Sequence, residues 1–140
     1  MTFKVYTAGA IEHLNVVDAV GWRTDLEALL NGFEIDWLHP TRRAPLHQSK
    51  PTYNRSHRIV AQDLRDLKSS DLIVFNLADS SAGDKKWGTC MELALCWEWK
   101  KPTIVLVDEG QFKHPFVYTM ATEVHYTLED IANAVADYVE

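Results

Sequence analysis

Cysteine is nearly absent from this chain: Cys90 and Cys96 are the only two in 140 residues. Six positions apart on one helical stretch, they face different ways and cannot easily pair. A disulfide scaffold is therefore excluded, and reduced thiols in a cytoplasmic protein are expected. Basic residues are also in deficit, 14 Lys and Arg against 20 Asp and Glu, for a formal net charge of −6. That balance argues against a general nucleic-acid or membrane-surface binder. No apolar run approaches the length of a membrane span. The opening Met1-Thr-Phe-Lys-Val-Tyr6 is already strand-like, so no signal peptide is expected. The six histidines lack metal-ligand spacing, and neither His-Glu-x-x-His nor Cys-x-x-Cys occurs. Gly-x-Gly-x-x-Gly and the Gly-Lys-Ser/Thr phosphate loop are missing too, which weakens a dinucleotide or NTPase reading. No metal and no cofactor is expected.

What is present is the composition of an ordinary globular protein, 46% hydrophobic and 24% charged. The length fits one domain spanning residues 1–140. Five strand-like runs occur at 3–7, 33–38, 71–77, 103–107 and 123–126. Between them, helical periodicity covers 16–31, 58–68 and 88–100, and Thr127-Leu-Glu-Asp130 opens a last helix to Val139 in the manner of a capping box. Strands alternating with helices predict a doubly wound, Rossmann-like α/β fold, a parallel sheet of about five strands with helices on both faces. The stretch 108–118 reads as loop. From His39 to Gln62 there is no acidic residue, but Arg42, Arg43, Lys50, Arg55, Arg58 and three histidines. With Pro40, Pro45 and Pro51 in its first half, this segment reads as a long loop, either functional or a solvated surface.

The stretch from Ser69 to Trp99 organises the functional reading. A buried strand ends at Leu77, and a polar loop with Asn76, Asp79 and Asp84 near it leads into a helix opening Gly88-Thr-Cys-Met-Glu92. In open α/β sheets, ligands bind at such loops beyond the carboxyl ends of strands. Glu92 has a structural reading, the second half of a capping box with Thr89. It also has a chemical one. It sits among apolar neighbours close to the positive end of the helix dipole, which favours an ionised, partly desolvated carboxylate suited to nucleophilic attack. Asp63 lies between Leu67 and Ile59, inside the apolar arc of its helix, where a solvated acid would not be; a local salt bridge is the alternative. Asp66 lies further round and reads as solvated. Tyr6, one residue from the end of the first strand, reads either as half-buried core or as part of the site. Lys85, Lys86 and Trp87 precede the helix start, where a phosphate or sugar could sit.

Three segments, in order, resemble the nucleoside 2-deoxyribosyltransferase family: Lys4-Val-Tyr-Thr-Ala-Gly-Ala-Ile11, the stretch Ala61-Gln-Asp-Leu-Arg-Asp-Leu-Lys-Ser-Ser-Asp-Leu-Ile-Val-Phe-Asn-Leu77, and Gly88-Thr-Cys-Met-Glu-Leu-Ala94. Lys101-Pro-Thr-Ile-Val and His114-Pro-Phe-Val are similar to its members as well. The resemblance implies a flavodoxin-like sheet, Glu92 as nucleophile, Asp63 handling the leaving base and Tyr6 orienting the nucleophile. Gly9, Ala10 and Ile11, with Asn76, Asp79, Asp84 and Gly88, are the expected substrate-binding positions. It implies deoxynucleosides and free nucleobases as partners, with no nucleic-acid polymer and no membrane, in a homodimer or larger homo-oligomer. Two positions depart from the family pattern. Ala94 replaces a frequent Gly, and Lys86 stands where an acid often binds the base, leaving that role to Asp84 or Asp79.

The expected activity is transfer of 2-deoxyribose between bases through a covalent Glu92 intermediate. The alternative is hydrolysis, as in the related 2′-deoxynucleoside 5′-phosphate N-hydrolases. These have Ser and Arg for phosphate where this chain has Ala10 and Glu12. A non-catalytic nucleotide-binding module on the same fold is a third reading, since fold alone does not establish catalysis.

Overall fold

A computed structural model describes residues 2–10, 16–43, 53–78, 87–110 and 114–140. Its centre is a sheet of five parallel strands: β1 (Phe3–Ala8), β2 (Ile35–Leu38), β3 (Leu72–Asn76), β4 (Thr103–Leu106) and β5 (Glu123–His125). The strand order is β2-β1-β3-β4-β5. Five helices pack around it: α1 (Val16–Leu29), α2 (Tyr53–Ser69), α3 (Trp87–Glu98), α4 (Pro115–Met120) and α5 (Leu128–Val139), with a short 3₁₀ turn at Pro40–Arg43. This is the flavodoxin-like, doubly wound arrangement.

Leu-Ile-Val-Phe in β3 and Thr-Ile-Val-Leu in β4 are buried at every one of these positions. Continuous apolar runs of this kind suit a parallel strand covered on both faces. Because side chains alternate across a strand, the sheet feeds two cores. Val5, Leu72, Val74, Ile104 and Leu106 meet Leu26 of α1, Leu30 just after it, and Ile131 and Val135 of α5. Tyr6, Ala8, Ile73, Phe75 and Val105 meet Leu67 of α2, Leu93 and Cys96 of α3 and Val117 of α4. Among the described residues no helix is long and apolar enough to cross a membrane.

The helix ends follow local chemistry. Thr127 caps α5 by accepting the Asp130 N–H at 3.1 Å. Helix α3 ends with Lys100 at φ 58°, the Lys101 N–H donating to Cys96 O and the Lys100 N–H to Trp97 O. This is a Schellman closure with lysine at the left-handed position that glycine favours.

The structure corrects three expectations. The stretch 108–118 is not all loop, because α4 begins at Pro115. The His114 ring accepts the Phe116 N–H, and a proline at the first helical position starts a helix rather than breaking one. Helix α2 begins at Tyr53, five residues before the expected start, so the basic segment is helical from Tyr53 to its end at Gln62. Strand β2 begins at Ile35; Phe33 is instead held in a turn by its N–H to Leu30 O at 3.0 Å.

Candidate active site

The chain runs from β1 outwards to β2, then crosses to β3 on the other side of β1. That reversal opens a crevice beyond the carboxyl ends of β1 and β3. A pocket of about 340 Å³ lies there, within the usual range for small-molecule sites. Beta1 and its following turn supply Tyr6, Gly9 and Ala10; the turn after β2 supplies Pro40; α2 supplies Asp63 among Ile59, Val60 and Leu64; α3 supplies Gly88, Thr89 and Glu92 beside Met91 and Leu95. No described lining residue is Lys, Arg or His.

Glu92 is held from the sheet: the Tyr6 hydroxyl donates to its Oε2 at 2.9 Å across 86 residues of sequence. Burial, with Glu92 and Asp63 nearby, holds the Tyr6 phenol far above its ordinary range, so it remains a donor. Burial also pushes the Glu92 carboxyl up to about 7. The Tyr6 hydrogen bond opposes this, the negative field of Asp63 adds to it, and the positive charge of Arg23 counters it. The expectation of a carboxylate kept ionised by the helix dipole is thereby modified: desolvation is the largest influence, and Glu92 holds its proton to higher pH than an exposed glutamate. Beside it, burial and Glu92 push the Cys96 thiol up to about 12, so Cys96 stays neutral.

The turn that carries Gly9 is braced on the opposite face of β1. Arg23, 1% exposed, donates through Nε to Thr7 Oγ1 at 3.1 Å and through Nη2 to Thr7 O at 3.2 Å and Gly9 O at 3.3 Å. The ring of Trp22 lies 4.7 Å from the guanidinium carbon. With Thr7 Oγ1 accepting from Arg23, the Thr7 hydroxyl proton points to His39 Nδ1 at 2.6 Å. This leaves His39 Nε2–H to donate to Glu27 Oε2 at 3.1 Å. A Cβ at Gly9 would come within 3.0 Å of Trp22 Cζ2 and 3.4 Å of Arg23 Nη2, so any larger residue here would push these side chains aside by a few tenths of an ångström.

The site residues expected from sequence divide into three groups. Tyr6, Asp63, Glu92, Gly9, Ala10 and Gly88 all border the one pocket. Asn76 does not border it. Its side-chain carbonyl accepts the Ala78 N–H at 3.0 Å, a local turn, and its Cβ packs behind Gly9. Ile11, Asp79 and Asp84 lie outside the described residues, as do Lys85, Lys86 and the stretch 44–52. Asp66 is a correction. It is 7% exposed rather than solvated, because Arg42 of the 3₁₀ turn reaches across to pair with it while also donating to His39 O at 3.1 Å. Sequence reasoning missed Arg23, Thr7, His39 and Arg42. A cation on a helix face otherwise turned to the core, as Arg23 is beside Leu26, was the one available signal.

No curated protein sequence matches this chain. Solved structures do. A conserved protein from Enterococcus faecalis V583 is 16% identical, with a TM-score of 0.75, over 99% of each chain. A 2-deoxyribosyltransferase from Bacillus psychrosaccharolyticus is 17% identical, with a TM-score of 0.73, over 93% of this chain and 90% of that one. A CMP N-glycosidase from Clostridium botulinum is 14% identical, with a TM-score of 0.56, over 96% and 98%. At these identities the likeness establishes the shared fold. A family model described as "Nucleoside 2-deoxyribosyltransferase like" matches residues 2–111, from β1 through β4 and including every residue that borders the pocket. This chain therefore belongs to the nucleoside 2-deoxyribosyltransferase-like family.

Proposed function

We propose that the protein transfers 2-deoxyribose from one nucleobase to another. Family membership supports chemistry at the bond between a deoxyribose and a base. The observation that carries the finer reading is the Tyr6–Glu92 hydrogen bond in a pocket shared with Asp63. In the first step a Glu92 oxygen bonds to C1′ while the C1′–N bond breaks and its electron pair leaves with the base. Asp63 supplies the proton that neutralises that base. Tyr6 keeps the attacking oxygen in line. In the second step a nitrogen of the acceptor base bonds to C1′, the ester oxygen departs with its pair, and Asp63 takes up the acceptor's proton. Two displacements leave C1′ with net retention. In the two-carboxylate logic of retaining glycosidases, such groups stand about 5–5.5 Å apart. Ala10 and Glu12, in place of the Ser and Arg that bind phosphate in the resembling N-hydrolases, favour an uncharged nucleoside over a nucleotide.

The test is chromatographic. Deoxyuridine or deoxyadenosine is incubated with and without a second free base, then the deoxynucleoside monophosphates are substituted. A new deoxynucleoside that forms only with the acceptor present is the expected result, and Glu92→Ala should lower it by at least about 10³-fold. Free base released from the monophosphates without exchange would replace transfer by N-glycosidic hydrolysis. Exchange unchanged in Glu92→Ala would remove Glu92 from the reaction.

A further inference from the structure

Successive residues of β1 face opposite sides of the sheet, so Tyr6 faces the pocket and Thr7 faces α1. Arg23 sits behind the strand on that second side. A guanidinium so fully enclosed is costly unless its donors and its charge are both used. Its donors are used on Thr7 and Gly9, the residues that carry β1 into the pocket turn. Its charge is felt by Tyr6, Glu92 and Asp63 on the other face. Burial pulls the Arg23 group down to about 10, which still leaves it cationic at neutral pH.

We infer that Arg23 is a positioning residue of the reaction: its buried guanidinium fixes the Thr7–Gly9 turn at the pocket and places a positive charge behind the strand that carries Tyr6 against Glu92. The inference rests on Glu92 being the nucleophile proposed above. The groups around it are distributed over every packed element. Tyr6 on β1, Asp63 on α2 and Cys96 on α3 face Glu92. His39, after β2, and Glu27, on α1, lie on the far side in contact with the Thr7 network. Of these, Asp63 opposes ionisation of Glu92 and Arg23 favours it. His39 is held below its ordinary value by burial, against the pull of Glu27, and so adds little charge at neutral pH.

Two substitutions separate the functions. Arg23→Gln keeps amide donors for Thr7 and Gly9 but removes the charge; Arg23→Lys keeps the charge but loses the planar fork. The Glu92 side-chain carboxyl is followed by carbon-13 NMR titration of each full-length chain, its resonance identified by its disappearance in Glu92→Gln. Circular dichroism monitors the fold. In Arg23→Gln the Glu92 midpoint is expected to rise by about half a unit or more, and in Arg23→Lys to stay within about 0.2 unit of the parent. In the exchange assay, the rising limb of the kcat profile should move with that midpoint in Arg23→Gln. Arg23→Lys should keep the limb in place but lose about tenfold in kcat through the loosened turn. A midpoint unmoved in folded Arg23→Gln would overturn the inference. So would an Arg23→Lys midpoint raised by half a unit or more, a measurement that stands if Arg23→Gln fails to fold. Because the titration needs no turnover, an inactive parent protein would sink the proposed reaction while leaving the test of Arg23 intact.

Discussion

Glu92 is placed under two opposing demands: a nucleophile must be ionised, while a carboxylate set into the pocket wall beside Tyr6 loses much of its hydration. The result, a carboxyl pushed up to about 7, has consequences for both rate and stability. If the ionised form attacks C1′, kcat should rise with pH along a limb centred near 7. A profile already flat from pH 5 upward would contradict that. Stability runs the other way. An unfolded glutamate loses its proton near 4.5, whereas the folded one keeps it to about 7, so between those values the native state binds more protons. Stability therefore falls as pH rises through that window. Glu92→Gln carries no charge at any pH and can still accept from Tyr6. Its Tm should exceed the parent's by several degrees at pH 8, and the gap should close towards pH 5. Thermal melts across pH 5–8 check this, and a constant gap would show that Glu92 does not titrate in the window.

At the scale of elements, the end of α3 offers a separable test. Lys100 occupies the left-handed region at φ 58°, where a side chain strains and glycine does not. Lys100→Gly should stabilise the protein by about 0.5–1 kcal/mol in urea unfolding without touching the pocket. Most elements were legible in sequence because each had a one-dimensional cause: apolar runs in β3 and β4, Thr127 three residues before Asp130, Pro102 after α3. Asp63 and Glu92 could be picked because each is a polar group on an apolar face, an anomaly that periodicity exposes; Tyr6 came from its place near the end of the first strand and from the family resemblance. The misses had three-dimensional causes. Asp66 is buried and paired with Arg42, 24 residues away, a contact that its helix position does not reveal. Arg23 matters because the fold sets it against Thr7 and Gly9, 14 to 16 residues away. Helix α4 depended on reading Pro115 as a first-turn residue when the same proline also fits a loop.

Across the whole molecule, the apolar residues left outside the two cores stand out. Helix α3 is buried at Thr89, Leu93 and Cys96 but shows Trp87, Met91 (61%) and Trp97 (52%) to solvent, and Phe116 of α4 is also exposed. Large apolar side chains left exposed in this number often mark an interaction surface. We propose that a second copy of this chain covers it, in a homodimer or larger assembly. Sedimentation velocity should give a mass at least twice 16.0 kDa, reduced by Met91→Glu combined with Trp97→Glu. A parent that sediments as a monomer at micromolar concentration would refute this.

The alternation of side chains along β1 carries a lesson for anyone redesigning this pocket. Tyr6 and Thr7 are neighbours in sequence yet look into different halves of the molecule. The wall of the pocket is thus the back of another structure, and a library restricted to residues that touch substrate would sample only one side of it. Arg23, which lies behind β1 and does not line the pocket, would be missing from such a library, although its variants are expected to shift the pH optimum.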